Sequence, residues 1–384
     1  IELPNFWPNT GRKESEMIGG KPSIHTYPRK IQFGDITIRD GFQHEEKIIS
    51  TDAKVFYAEE LILSGVKNLE VTNYANPKRI PQFKDADEVI ARIRDSKKLE
   101  EEGIDWNGVT LTAVTIREKA VERAIEAKKA GCGPDRVLMM VSTDEQHHFV
   151  NSGCTLPEYW KEAERCIRKA KDAGLKFCGT VSTIWGSPIS GPTDMKKALE
   201  FTKHWLDIGA DDIEHADHDG SAPPNMVYDY FSMILDALPD TKLHLAHFHE
   251  SRGWGTANIF ASLIAGITMY EGTMGGIGGQ PANFINDSPG YGTGDYYYTD
   301  PESVGLVSTE DMLVMMTEMG IETGIDIERI LKLGRLMEKT IGRSLRSGSI
   351  HQGPVPKEPR IDLFKSELSK RKAALGEEPD QIFL

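Results

Sequence analysis

The run Lys176-Phe-Cys-Gly-Thr-Val-Ser-Thr-Ile184 is short, apolar and rich in β-branched residues. An amphipathic stretch, Thr193–Ile208, follows it, and then a second short run, Asp212-Ile-Glu-His-Ala216. Strand, helix and strand in this order imply a parallel pair, because parallel strands need a long crossover rather than a tight turn. The alternation continues in both directions. Upstream lie strands Lys30–Arg39, Asn68–Tyr74, Val109–Ile116 and Arg136–Ser142, with helices Thr51–Ser64, Ala86–Glu102, Lys119–Ala130 and Leu156–Ala173. Downstream come helix Asn225–Leu238, strand Lys242–His249, helix Ala257–Ile264, strand Thr268–Met274 and helix Thr309–Met319. Eight such units predict a closed (β/α)8 TIM barrel rather than an open sheet. No GxGxxG opens a helix after the first strand, which argues further against a dinucleotide fold.

Glycines stand where helices should end (Gly65, Gly103, Gly131, Gly174, Gly209, Gly266 and Gly320), and Thr51, Thr155 and Thr309 stand at helix starts. The chain divides into an N-terminal extension (1–29), a barrel (30–320) and a C-terminal portion (321–384) with one extra helix, Asp326–Ile341, and a polar tail from Gly342. Pro281–Val304 forms a long loop after strand eight, with Tyr291 and the run Tyr296–Tyr298. Its length and its place on the C-terminal face suggest a lid or an interface.

Net charge is −14 over 384 residues, with no basic run. That excludes nucleic acid and anionic membrane as expected partners. No stretch reaches the roughly 20 apolar residues of a membrane span. The opening residues, with Pro4, Pro8 and Pro28, resemble neither a signal peptide nor a transit peptide. Cys132, Cys154, Cys166 and Cys178 have no CxxC spacing and read as free thiols in a reducing, cytoplasmic protein. Apolar outer helices such as Ala257–Ile264 suggest a homo-oligomer.

His247-Phe-His249 sits near the end of strand seven, where alternate residues share a face, so both imidazoles converge on one point. Alone, the pair is explained as well by packing as by a metal. Arg39-Asp40-Gly-Phe-Gln43 ends strand one at the same mouth. Asp40, His247 and His249 together make a two-His, one-carboxylate set for a divalent cation. Arg39 is a fixed cation suited to a developing enolate oxygen. Taken alone, Arg39 and Asp40 also fit a solvated turn. Glu70 lies mid-strand, where a buried carboxylate needs a partner, either a metal-site neighbour or an arginine. Strand six carries His215, Asp217, His218 and Asp219. Asp217 stands at the mouth to support the metal site or hold a water, and among His215, His218 and Asp219 a proton carrier competes with polar rim packing. His147 and His148 read as exposed loop histidines after strand four. Gly275-Gly-Ile-Gly278-Gly279-Gln280 is either a tight turn or a cradle of backbone N–H groups for a ligand. Gln280 can donate a hydrogen bond but cannot shuttle a proton.

These segments resemble the metal-dependent lyase and synthase barrels of the pyruvate carboxyltransferase-like superfamily, and the hydroxymethylglutaryl-CoA lyases most. Asp35-Ile-Thr-Ile-Arg39-Asp40-Gly-Phe-Gln43 resembles the strand-one signature. Leu69-Glu70-Val-Thr72-Asn-Tyr74, Val181-Ser-Thr183, His247-Phe-His-Glu-Ser-Arg-Gly253, Gly276-Ile-Gly-Gly279 and Ser308-Thr-Glu-Asp311 resemble lyase segments, in order, from Lys30 to Arg346. The resemblance implies Asp40, His247 and His249 as ligands of Mg2+ or Mn2+, with Zn2+ as a further option. It also implies Arg39 and Glu70 in the catalytic machinery, where Gln280 takes the place of a family residue and His218 or a loop tyrosine is the expected proton carrier; Gln43, Thr72, Gly278 and Gly279 are expected at the substrate, a hydroxy acid or CoA thioester. The implied reaction is a carbon–carbon cleavage through an enolate. Two departures stand out. The family's catalytic cysteine position holds Gln280, and the position of an asparagine ligand falls at Gly305 or Leu306. They leave open a Claisen-type synthase joining acetyl-CoA to a 2-keto acid, or a silent metabolite-binding barrel.

Overall fold

The structure is a computed structural model. It describes residues 26–354 and 369–376, apart from 46, 79, 188, 219, 280–282, 286–287, 290–294 and 297–304. Eight parallel strands close in chain order: β1 (Gln32–Asp35), β2 (Asn68–Asn73), β3 (Thr110–Val114), β4 (Arg136–Ser142), β5 (Lys176–Ser182), β6 (Asp212–Asp217), β7 (His244–Phe248) and β8 (Met269–Gly272). β8 returns to β1 with Gln32 opposite Met269 and Asp35 opposite Gly272. The expected TIM barrel is the observed fold.

Side chains alternate along each strand, and the two sides differ in chemistry. Leu69, Val71, Leu111, Val137, Met139, Phe177, Ile213, Ala246, Phe248 and Tyr270 join one apolar core under the helices. The opposite side faces the lumen. It carries a small apolar cluster, Val114, Leu138 and Cys178, and an unusual number of charges. Arg136 closes the lower end, with its Nη1 2.9 Å from Asp212 and its Nε donating to Thr112.

The helices are α1 (Thr51–Leu63), α2 (Ala86–Arg94), α3 (Lys97–Glu101), α4 (Glu118–Lys129), α5 (Glu145–Ser152), α6 (Leu156–Asp172), α7 (Met195–Asp207), α8 (Pro224–Ala237), α9 (Gly255–Ala265), α10 (Thr309–Glu318), α11 (Ile327–Ile341) and α12 (Gly348–Gln352). The glycines expected at helix ends all lie at positive φ, as Gly65 does at 103° after α1.

Four expectations change. The helix expected over 86–102 is two helices, because the Ser96 hydroxyl accepts from Leu99 N–H and caps a new start. Strand one stops at Asp35 rather than Arg39; the Asp35 carboxylate accepts from Thr37 N–H and turns the chain into a π-helical turn, Thr37–Gly41. The residues after Gly342 are not wholly a surface tail. Leu345 and Ile350 are buried, and the Asp311 carboxylate accepts from Ser347 Oγ and the backbone N–H groups of Gly348 and Ser349. Within the 281–304 insertion a small antiparallel sheet forms from β9 (Asn283–Ile285), β10 (Ser288–Pro289) and β11 (Asp295–Tyr296). Tyr291, Tyr297 and Tyr298 lie outside the described residues.

Candidate active site

The π-helical turn after β1 delivers Arg39 and Asp40, both buried, to the mouth of the barrel. Glu70 rises from the lumen side of β2. Its Oε2 accepts from Arg39 Nε at 2.5 Å, while Arg39 Nη1 lies 3.0 Å from Asp40 Oδ2. One guanidinium therefore bridges two buried carboxylates in a fixed orientation. Of the two roles open to Glu70, the structure shows the ion pair with an arginine. Burial alone would lower the Arg39 pKa and raise that of Asp40, but their mutual attraction outweighs it. The nearby His247, His249 and His44 add to the effect, holding Asp40 below the usual carboxylate range.

β7 carries His247 on the lumen side, and His249 follows two residues on; both are buried. Their Nε2 atoms face each other at 3.3 Å. The far nitrogen of His247, Nδ1, meets Glu271 Oε1 of β8 at 2.7 Å, with Glu214 Oε1 of β6 at 3.9 Å. Burial, with His247 next to it, pushes the His249 imidazole well below its ordinary value. Burial followed by the Glu271 charge pushes Glu214 up to about 8, and burial followed by Glu70 pushes Glu271 well above 4.5.

The glycine turn after β8 completes the mouth. Gly279 N–H donates to Asp40 Oδ1 at 3.0 Å. Gly278 has φ +93°, and a Cβ there would stand 2.5 Å from the Asp40 carbonyl oxygen. A Cβ on Gly279 would collide with His249 Cε1. The backbone of this turn thus lies between Asp40 and His249, where only glycine leaves room.

The remaining sequence candidates separate. Thr72 is buried on the lumen side of β2, one residue pair above Glu70. Gln43 is half-buried, accepting from Asn73 Nδ2 and lying 3.3 Å from His44 Nε2. Gln280 lies outside the described residues, as does Asp219. His218 stands at the mouth with its ring centroid 6.3 Å from that of His249. His215 turns the other way, between barrel and helices, bonded to Tyr230 and His244, and is no part of the site. Asp217 accepts from the N–H groups of Ser221 and Ala222, an anchor for the loop after β6. Position 306 is a buried leucine bridged to His249, so it offers no ligand atom.

His147 and His148 correct the reading as exposed loop histidines: both are buried on α5, at 3% and 2% exposure. His148 packs on Tyr159, whereas His147 Nε2 lies 3.1 Å from His218 Nε2. Sequence reasoning also passed over Glu271 and Glu214 as neighbours of His247, and His44 as a neighbour of Asp40. The signal for the two glutamates was their mid-strand place on the lumen face, the argument that picked out Glu70.

The donor set fits a divalent cation. Two buried imidazole nitrogens face each other at 3.3 Å, both rings act electrostatically on Asp40, and His249 Nδ1 has no hydrogen-bond partner although buried. When Glu271 is ionised it accepts from His247 Nδ1–H and leaves Nε2 as a lone pair. Among the described residues, Asp40, His247 and His249 are not drawn within 4.8 Å of one another; the one group of three whose ligand atoms lie that close is Glu214, His247 and Glu271. That cluster would use His247 through the nitrogen that Glu271 already engages.

A family model described as HMGL-like matches residues 30–337. Hydroxymethylglutaryl-CoA lyase of Bacillus subtilis is 27% identical over 324 residues, covering 84% of this chain and 97% of that one. An (R)-citramalyl-CoA lyase of Chloroflexus aurantiacus is 28% identical over 327 residues, covering 84% and 94%. The crystal structure of the Bacillus subtilis HMG-CoA lyase superposes with a TM-score of 0.70 at 26% identity, covering 85% of this chain and 98% of that one.

Proposed function

The chain belongs to the HMGL-like family, and on that premise we propose that it is a divalent-metal-dependent carbon–carbon lyase. Its substrate class is a 3-hydroxyacyl-CoA or related hydroxy acid, cleaved through an enolate. The observation that carries this reading is the buried meeting of Arg39, Asp40 and Glu70 with the facing His247 and His249. Unpaired buried charges are costly, so a barrel with no use for the set has physical reason to lose it.

Asp40, His247 and His249 would hold the cation, Mg2+ or Mn2+ rather than Zn2+ given the carboxylate-rich surroundings. Bound there, it would polarise the substrate's oxygens and ease ionisation of the hydroxyl. Arg39, held by Glu70, directs its guanidinium at the oxygen where enolate charge gathers. Gly278 and Gly279 place backbone close to the substrate, and Gln43 and Thr72 add polar contacts at the rim. A base removes the hydroxyl proton, the carbon–carbon bond breaks to leave a carbonyl and an enolate, and the enolate carbon is protonated. Gln280 cannot carry that proton, so His218 is the candidate carrier. The relatives named as lyases of CoA thioesters support a thioester substrate. The free cysteines suit a reducing cytoplasmic setting.

Glutamine where the lyases have cysteine favours one competing reading, condensation of acetyl-CoA with a 2-keto acid. Calorimetric titration of metal-stripped protein with Mn2+, with Asp40→Ala and His247→Ala controls, tests the site. Cleavage assays on HMG-CoA and (R)-citramalyl-CoA, against thiol release from acetyl-CoA plus a 2-keto acid, test the direction. Mn2+ binding lost in both variants, with cleavage in the wild type, is the expected result. An absence of Mn2+ binding in the wild type overturns the reading in favour of a silent barrel.

A further inference from the structure

One side chain holds the loop between β1 and α1 at both of its ends. Gln82 lies in the turn Pro81–Phe83, beyond β2, and is buried at 3% exposure. Its Nε2 donates to the Phe42 carbonyl at 2.7 Å and to the Lys47 carbonyl at 3.2 Å, and its Oε1 accepts from Ile49 N–H at 2.8 Å. Both amide hydrogens and the amide oxygen therefore go to the backbone of one loop. The side chain supplies the hydrogen bonds that a neighbouring strand would otherwise give.

Gln82 is itself fixed from behind. The Lys54 ammonium, buried on α1, donates to the Gln82 carbonyl and lies 2.8 Å from Asp85 Oδ1. Thr51 Oγ1 donates to Asp85 Oδ2 at 2.8 Å. The start of α1 and the start of α2 thus grip the turn that carries Gln82.

Gln43, His44 and Glu45 stand between the anchored ends. Ala75 N–H donates to Asn73 Oδ1 at 2.8 Å, and Asn73 Nδ2 donates to Gln43 Oε1 at 3.4 Å. That leaves Gln43 Nε2 facing His44 Nε2 at 3.3 Å. His44 in turn senses the charges of Asp40 and Arg39, and Glu45 pairs with Arg343 at 2.9 Å. The loop brings an amide and an imidazole to the edge of the Arg39–Asp40 turn, and Gln82 fixes where its backbone begins and ends.

We propose that Gln82 is a positioning residue of this site, holding the β1–α1 loop so that Gln43 and His44 present their polar groups to the bound substrate. The proposal rests on the lyase reading and deepens it. Gln82 lies beneath the loop and acts through it. Its loss leaves two carbonyls and one N–H of the loop without their partner, so the loop drifts while the metal-ligand residues keep their own supports.

Three measurements on the full-length chain test it. The first is amide hydrogen exchange on protein without metal or substrate. Ile49 should exchange about 10-fold or more faster in Gln82→Met, which keeps the chain length and removes the hydrogen bonds, while the barrel strands stay protected. Unchanged protection at Ile49 overturns the anchor. The second is cleavage by Mn2+-loaded protein of HMG-CoA or (R)-citramalyl-CoA, whichever the wild type accepts. Gln82→Met should raise KM roughly 10-fold and lower kcat less, with Mn2+ affinity unchanged. Adding Gln43→Ala should raise KM little further, because the two substitutions act on one contact. Additive effects of Gln82→Met and Gln43→Ala overturn the positioning role.

The third uses Gln82→Glu. Its protonated acid still accepts from Ile49 N–H and donates to one carbonyl, whereas its carboxylate repels both carbonyls. Relative to wild type at each pH, its KM should fall toward normal as pH drops from about 8 to about 6. A ratio that does not move with pH contradicts the role given to the amide hydrogens. If the wild type cleaves neither thioester, the lyase reading fails, while exchange at Ile49 still decides whether Gln82 holds the loop.

Discussion

Glu271 Oε1 and His247 Nδ1 meet at 2.7 Å across neighbouring strands of the barrel, and this bond decides which nitrogen of the imidazole is offered to the mouth. When Glu271 is ionised it accepts from Nδ1–H, and Nε2 then faces His249 Nε2 as a lone pair. The carboxylate also makes the ring a better electron donor.

That relationship predicts a graded loss of metal affinity. Glu271→Ala should weaken Mn2+ binding by about 10–100-fold, and Glu271→Gln, which can still accept the Nδ1–H, by less. Titration calorimetry reads both directly. Equal affinity in wild type and Glu271→Ala would show that Glu271 does not support the ligand.

Arg39 holds two buried carboxylates, Glu70 and Asp40. Arg39→Met leaves both uncompensated and should cost about 3–5 kcal/mol of stability, besides abolishing turnover. Because the partners are coupled, adding Glu70→Gln to Arg39→Met should restore part of that stability. Urea unfolding of the two single variants and the double variant measures the coupling; strict additivity would rule it out.

Glu310 ties α10 to the glycine turn by accepting from Gly275 N–H and Ser308 Oγ. Burial pushes its pKa up from 4.5 to about 8, with its hydrogen bonds opposing the rise. The folded state therefore binds this proton more tightly than the unfolded chain. The resulting stability is complete below about 4.5 and is lost as pH rises through about 8. Glu310→Gln mimics the protonated acid and should be relatively more stable than wild type at about pH 9 than at about pH 5. A stability difference that stays constant between the two pH values would contradict this.

Gly279 combines φ +48° with a position against His249. Gly279→Ala should cost about 1–2 kcal/mol from the left-handed backbone and, by displacing the His249 ring, should also lower Mn2+ affinity. Thermal unfolding with and without Mn2+ separates the two effects: the metal-induced rise in Tm should shrink. A full metal-induced rise would mean that the ring accommodates the methyl group.

The sequence by itself determined the barrel, because the strand–helix period is written in local chemistry: β-branched runs, amphipathic repeats, and glycines where helices end. The same local logic placed Asp40, His247 and His249 at one mouth, since parallel strands in a closed barrel all end on the same side. It also identified Glu70 as a carboxylate that had to be paired.

Tertiary structure decided the pairings. Glu271 and Glu214 reach His247 only because β6, β7 and β8 are adjacent and in a particular register. His147 is far from His218 in sequence and lies on a short helix that no long period announced; it is buried where that helix, α5, packs on β4 and α6. His215 and His218 sit three residues apart, yet one faces the helices and the other the mouth, because β6 ends at Asp217 and the chain turns. The direction a side chain faces at a strand end, and the partner it meets across the barrel, depend on register and loop closure. Those are properties of the packed whole, and no local window of sequence contains them.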